Sequence, residues 1–129
     1  MRLLALTGLS RESLSELTQR RIRTFEFRST NNVVAFSGLG MGDMVFLADV
    51  PQTDLTSGIC GSIATIKSFD TRMQHVYYSA GSYSEEAETM SARAQLSYHA
   101  RGKIKSVEHI DLYKPVYVDV IEVKFCEAK

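Results

Sequence analysis

Two segments carry side chains whose types and spacing could do chemistry. One is Arg21-Ile22-Arg23-Thr24-Phe25-Glu26-Phe27-Arg28, and the other, a little further on, is Gly42-Asp43-Met44-Val45-Phe46-Leu47. Along an extended chain successive side chains point to opposite faces, so Arg23, Phe25 and Phe27 share one face and Ile22, Thr24, Glu26 and Arg28 the other. Glu26 and Arg28 are then close enough to pair, or to offer an acceptor and a donor fork to one ligand. A solvated pair, worth about 0–1 kcal/mol, is the commoner outcome of such a spacing; a ligand site is the alternative. Arg20, Arg21 and Arg23 cluster where a helix is expected to end. There they either offset the negative end of the helix or steer an anionic ligand.

Other candidate chemistry is weaker. Gly38-Leu39-Gly40-Met41-Gly42 has the look of a phosphate loop, but such a loop needs a helix after it, and Asp43 to Asp49 alternates as a strand. A tight turn is expected, with glycines supplying positive φ and Asp43 holding the turn. Cys60 lies between Gly58 and Gly61 with no His nearby in the chain, which suits a small packed thiol better than a nucleophile. Cys60 and Cys126 lack CxxC or Cys-His metal spacing and are expected to be reduced. His75, His99 and His109 have no ligand spacing, so neither a metal nor a cofactor is expected.

The elements that must position these residues read as follows. Leu3 to Thr7 is a short buried strand ended by Gly8. Ser10 caps a helix running to about Arg20, with Leu9 placed to staple onto Leu14, and Leu14 and Leu17 forming a narrow apolar seam. Ile22 to Arg28 is the second strand, and Ser29 to Asn32 a turn. Val33 to Phe36 is too short to define a period and stays open between strand and helix. Strands follow over Asp43–Asp49, Gly58–Ile66 and Arg72–Tyr78, with polar loops at Pro51–Ser57 and Ser79–Glu88. The two glycines beside Cys60 suggest a bend or a close backbone approach. From Met90 to Arg101 the alternation is the cleanest in the chain. Its polar stripe of Arg93, Gln95, Ser97, His99 and Arg101 suits a solvated sheet face, or a groove for nucleic acid. Gly102 opens a connection, Val107 to Tyr113 carries no clear signal, and Pro115 leads into the last strand. There the apolar phase switches from Val116, Val118 and Val120 to Ile121, Val123 and Phe125, which predicts a β-bulge near Val120.

The chain has 129 residues and 44% apolar content, enough for one domain over 1–129 with a core that needs no staples. Fifteen basic residues balance 15 acidic ones, which argues against a strongly electrostatic nucleic-acid binder. Locally the balance is uneven: residues 1–30 carry six Arg against three Glu, and residues 31–90 two basic against seven acidic side chains. A neutral chain can therefore still show a basic face. No run approaches the roughly eighteen apolar residues of a membrane span, and the apolar start is broken at Gly8. A soluble, cytoplasmic protein is expected. About seven short strands with one helix near the start suit an α+β, β-rich fold, a small mixed β-barrel.

The frame Arg21-x-Arg23-x-x-Glu26-x-Arg28 resembles the Gly-x-Lys-x-x-Glu-x-Arg signature of ASCH domains in the PUA-like superfamily. Two of its four positions match, a second cation stands for the Lys, and the Gly is lost. Gly42-Asp43 entering an apolar strand, Gly58 to Phe69 as the next strand, and Val118 to Phe125 as a closing strand are similar to that family in order, so short motifs cover most of the chain. Leu3-Leu4-Ala5-Leu6-Thr7-Gly8, Phe25-Glu26-Phe27-Arg28-Ser29 and Gly42-Asp43-x-Val45-Phe46-Leu47 also resemble a narrower archaeal family, domain of unknown function 473, which brings no activity with it.

The ASCH resemblance implies a PUA/ASCH-like barrel with one N-terminal helix. It also implies a non-catalytic module for RNA or a modified nucleoside, bound between that helix and the barrel. Arg23 and Arg28 would then contact phosphate or a base edge, Glu26 would accept from a base or hold Arg28, and Arg20 and Arg21 would steer the backbone. Tyr77 and Tyr98 are candidates for stacking. The alternative class is an amidohydrolase acting on acylated nucleosides. It is disfavoured because Arg23 stands where the family uses a Lys, and a guanidinium does not give up its proton. A protein-interaction subunit is a third possibility that leaves no sequence mark.

Overall fold

A computed structural model describes residues 1–80, 83–108 and 114–126, and of 73–80 and 83–89 the backbone alone. In chain order the regular elements are β1 (Arg2–Leu6), α1 (Arg11–Arg20), β2 (Ile22–Phe27), α2 (Thr30–Ala35), β3 (Met44–Leu47), β4 (Cys60–Ala80), β5 (Tyr83–Val107) and β6 (Tyr117–Val123). The sheet order is β2-β5-β4-β3-β1-β6, and β6 pairs back onto β5. Strands β1, β3, β4, β5 and β6 therefore close a ring, in which β1 and β3 run parallel and every other pair is antiparallel.

Closure depends on the length of β5. Its Arg101–Val107 half pairs with β6, whereas its Ala92–Ser97 half pairs with β2. β5 thus hands one flank from β6 to β2 while β4 follows the other flank throughout.

The apolar pattern explains the layering. Leu3 and Ala5 of β1 and Phe46 of β3 join Ile63, Ile104, Val118 and Val120 inside the ring. Leu4 and Leu6 of β1 and Val45 and Leu47 of β3 point the other way, into a second core. There Phe25, Phe27, Ile66 and Leu96 pack beneath Leu17 of α1, Val33 of α2 and Phe36 just after α2. A parallel strand pair covered on both faces needs continuous apolar runs rather than alternation. Leu3-Leu4-Ala5-Leu6 and Val45-Phe46-Leu47 supply them, buried throughout.

Local signals set most boundaries. The Ser10 side chain accepts from the Ser13 N–H at the start of α1, and Gly8 takes φ +71 where β1 ends. The Gly-rich segment is a turn, as expected, although only Gly42 has positive φ, at +90. The Asp43 carboxylate accepts from the Gly40 N–H at 2.8 Å. Gly61 also fits its reading, since a Cβ there would run into the Leu47 carbonyl oxygen and the Phe46 ring.

Several expectations are corrected. The chain has a second helix besides the N-terminal one: Ser29 caps α2, which takes in the expected turn and most of the open segment Val33 to Phe36. Buried Asn32 on α2 accepts from the Thr7 N–H and donates to the Thr7 carbonyl, tying the helix to the end of β1. The strands expected at Gly58–Ile66 and Arg72–Tyr78 are one strand, β4. The loop expected at Ser79–Glu88 falls largely within the hairpin arm of β4 and β5, with 81 and 82 outside the described residues. Pairing with β2 stops at Ala92, and beyond it the described partners of β4 and β5 are each other. The connection expected after Gly102 continues β5 to Val107. The bulge lies on β5, where Lys105 is the extra residue between Ile104, opposite Val120, and Ser106, opposite Asp119.

The two cysteines are not separate thiols. Cys60 and Cys126, 66 residues apart, form a disulfide with Cα atoms 6.0 Å apart. Sequence spacing carried no sign of it, because the pairing depends on β4 and β6 flanking the same strand, β5. Among the described residues no helix is long and apolar enough to cross a membrane.

A cleft between the first helix and the barrel

Helix α1 turns Leu17 into the core and leaves Leu14 partly buried. Its polar residues Arg11, Ser15, Thr18 and Gln19 follow a helical spacing that lines one wall of a cleft of about 380 Å³. The opposite wall is the barrel, where Gly61 and Ser62 of β4 meet Arg101 of β5. Ser62 and Arg101 are direct cross-strand partners. Asp49 closes one side and the Cys60–Cys126 bridge another.

The electrostatics mix donors and acceptors. Arg11 Nε donates to Asp49 Oδ2 at 2.8 Å, yet its side chain is 92% exposed, so it is free to swing toward a ligand. Thr18 Oγ1 is committed to the Leu14 carbonyl at 3.0 Å. Arg101 is exposed on the wall. A guanidinium offers planar, paired donors suited to phosphate or carboxylate oxygens. Two of them across a half-apolar cleft, with hydroxyl and amide groups between, can hold an anionic group and an attached polar ring.

The residues singled out from sequence lie around this cleft, not in its lining. Arg20 and Arg21 are exposed at the end of α1. Arg21 caps the helix with φ 69, the one positive-φ non-glycine residue described. Its carbonyl accepts from the Tyr98 N–H at 2.8 Å, and its guanidinium lies 5.2 Å from the centre of the Tyr98 ring. The helix end is thereby docked on β5 three residues before Arg101.

Arg23 is half-buried under α1, where Nε donates to Glu16 Oε2 at 2.8 Å and the guanidinium covers the Phe25 ring at 4.7 Å. Glu26 and Arg28 pair with each other at 3.0 Å, exposed, on the opposite face of β2. The alternation read from sequence holds, with Phe25 and Phe27 buried and Glu26 and Arg28 outside. It is also what keeps Arg23 apart from Glu26 and Arg28.

Tyr98 is half-buried against the core. His99 meets Glu122 at 2.8 Å on the surface. The side chains of Tyr77 and His75, and the whole of His109, lie outside the described residues. Among those described, no three His, Cys, Asp or Glu side chains gather as a metal site. Arg11, Asp49 and Ser62 were not foreseen as a group. The helical spacing from Arg11 to Gln19 was the one signal available, and Arg101 appeared only as a member of the polar stripe.

Comparison with protein-family models aligns residues 1–118 with a family described as protein of unknown function (DUF473). The chain belongs to the DUF473 family. No curated protein and no solved structure matches it. The DUF473 match covers α1, both arginines that line the cleft, and Cys60. Cys126 follows the matched range.

Proposed function

We propose that this DUF473 chain is a non-catalytic binding module for RNA or a modified nucleoside, with its site in the cleft between α1 and the β4–β5 wall. The observation that carries this reading is that Arg11 of α1 and Arg101 of β5 line one cleft, which also offers Ser15, Gln19 and Ser62. In it, Arg101 and Arg11 hold phosphate oxygens and the polar groups between them read the sugar or base edge. Arg20 and Arg21 continue the basic track past the cleft. Arg23 shapes the site by fixing α1 through Glu16, while Glu26 and Arg28 form a separate outer contact.

A PUA/ASCH-like assignment of the barrel belongs to the same proposal. Support comes from the order strand, helix, strand at the start, and from the left-handed backbone of Arg21, which stands where the ASCH signature has its glycine. A left-handed position is what a helix-ending glycine ordinarily fills. Hydrolysis of acylated nucleosides has less behind it, because Arg23 stands where the ASCH signature has its Lys and is held by Glu16. A cytoplasmic location accompanies the RNA reading.

The test is fluorescence anisotropy with mixed short RNAs at two salt concentrations. Binding that weakens with salt and is lost in Arg101→Ala, while Arg28→Ala weakens it less, supports the cleft. Flat anisotropy up to tens of micromolar protein overturns it.

A further inference from the structure

We propose that the Cys60–Cys126 bridge is a redox switch on the ligand cleft, an inference that rests on the binding role given to that cleft. Both cysteines line it, and both are half-buried, within reach of a small reductant. Their two anchorages differ greatly. Cys60 stands in the β4 ladder opposite Lys103. Behind it the Gly58 N–H donates to the Ile104 carbonyl at 2.8 Å, and after it Gly61 is pressed against Leu47 and Phe46. Cys126 has no comparable support. The β6 ladder ends with Val123 opposite Arg101, Phe125 is 80% exposed, and among the described residues no hydrogen bond or ion pair holds 124–126.

One covalent bond therefore keeps this segment against the cleft. Because β4 and β6 flank β5 on opposite sides, the bridge reaches across β5 beside Arg101 and forms a removable side of the site.

The chemistry balances with a dithiol as the reductant. One of its thiolates attacks a cysteine sulfur, forming a mixed disulfide and releasing the other cysteine as a thiolate that takes a proton. The second thiol of the reductant then displaces the remaining cysteine. The reductant leaves as its own disulfide, having given two electrons, and Cys60 and Cys126 become free thiols. Cys126 then departs with 124–126, and the cleft loses a wall. In a reducing compartment, persistent disulfides are rare and those that form tend to be transient and regulatory. Removing a preformed wall lowers affinity, because the ligand then has fewer fixed surfaces to meet.

The experiment compares the full chain oxidised and after dithiothreitol, with thiols counted by alkylation and mass spectrometry. RNA anisotropy and hydrogen exchange over α1 and 119–126 are read in both states, and in Cys126→Ser, with circular dichroism to check folding. We expect RNA binding about tenfold weaker in the reduced protein and in Cys126→Ser, with faster exchange over 119–126. Equal RNA affinity in all three forms overturns the switch and leaves the binding role standing. If neither state binds RNA, the binding role fails by itself, and the switch is then judged on exchange: faster exchange over 119–126 and α1 on reduction supports it, and unchanged exchange overturns it.

Discussion

Arg23 Nε lies 2.8 Å from Glu16 Oε2, so the strand after α1 holds the helix across a sequence separation of seven. The pair is partly shielded, at 27% and 36% side-chain exposure. Charged hydrogen bonds in such settings contribute more than open surface pairs but less than buried ones. Arg23→Ala and Glu16→Ala should each lower stability by about 1 kcal/mol, and the double variant by little more than either alone. Urea denaturation of the three variants measures this coupling. Additive losses would show that the two residues act independently.

Arg21 carries a left-handed φ of 69 at the end of α1. A residue with a Cβ is disfavoured there by about 1–2 kcal/mol and glycine is not. Arg21→Gly also gives up its contact with Tyr98 and adds chain entropy to the unfolded state. A net gain of about 0.5 kcal/mol is expected, against a clear loss for Arg21→Val. Thermal melting of both variants gives the sign.

Gly61 has no room for a methyl group, since the Leu47 carbonyl and the Phe46 ring occupy that space. Backbone cannot yield as a flexible side chain does, so Gly61→Ala should cost about 3 kcal/mol. Gly42, with open space around it, should respond through its positive φ alone. Gly42→Ala is therefore expected to cost about 1 kcal/mol. Comparing the two denaturation midpoints separates the steric effect from the conformational one.

Arg2 donates to Glu108 through Nε at 2.6 Å and Nη2 at 3.0 Å, and this hydrogen bonding holds the Glu108 carboxyl below its ordinary value. A carboxyl that is more acidic in the folded state binds fewer protons there than when unfolded. Its contribution is thus complete above the ordinary carboxylate value and fades as pH falls through the lower, folded one. Wild type should be slightly more stable than Glu108→Gln near neutral pH, and the difference should vanish at acid pH. Both groups are exposed, so salt should shrink it as well. Urea midpoints of the two proteins across that range test the sign.

Much of the architecture could be read from the chain because it depends on local chemistry. Ser10 caps a helix wherever an apolar seam like Leu14 and Leu17 follows it. Alternation placed Phe25 and Phe27 inside and Glu26 and Arg28 outside, and the Gly-Asp turn follows from backbone sterics. The alternation at Arg72 to Tyr78 was legible as strand, whereas polar Ser79 to Glu88 suggested a loop although it largely continues the paired strands β4 and β5, since hydropathy reports burial and not pairing.

The cleft and the disulfide were decided at another level. Arg11 and Arg101 are ninety residues apart in number and line one cleft because α1 lies over β5, its end docked there through Arg21. Cys60 and Cys126 meet because β5 is long enough to hold β4 on one flank and β6 on the other. The sequence by itself determined which face of each element is apolar and where the chain turns, since both depend on side-chain size, polarity and backbone freedom within a few residues. Which polar faces meet across the closed sheet was settled only by long-range strand pairing, whose register no single segment encodes.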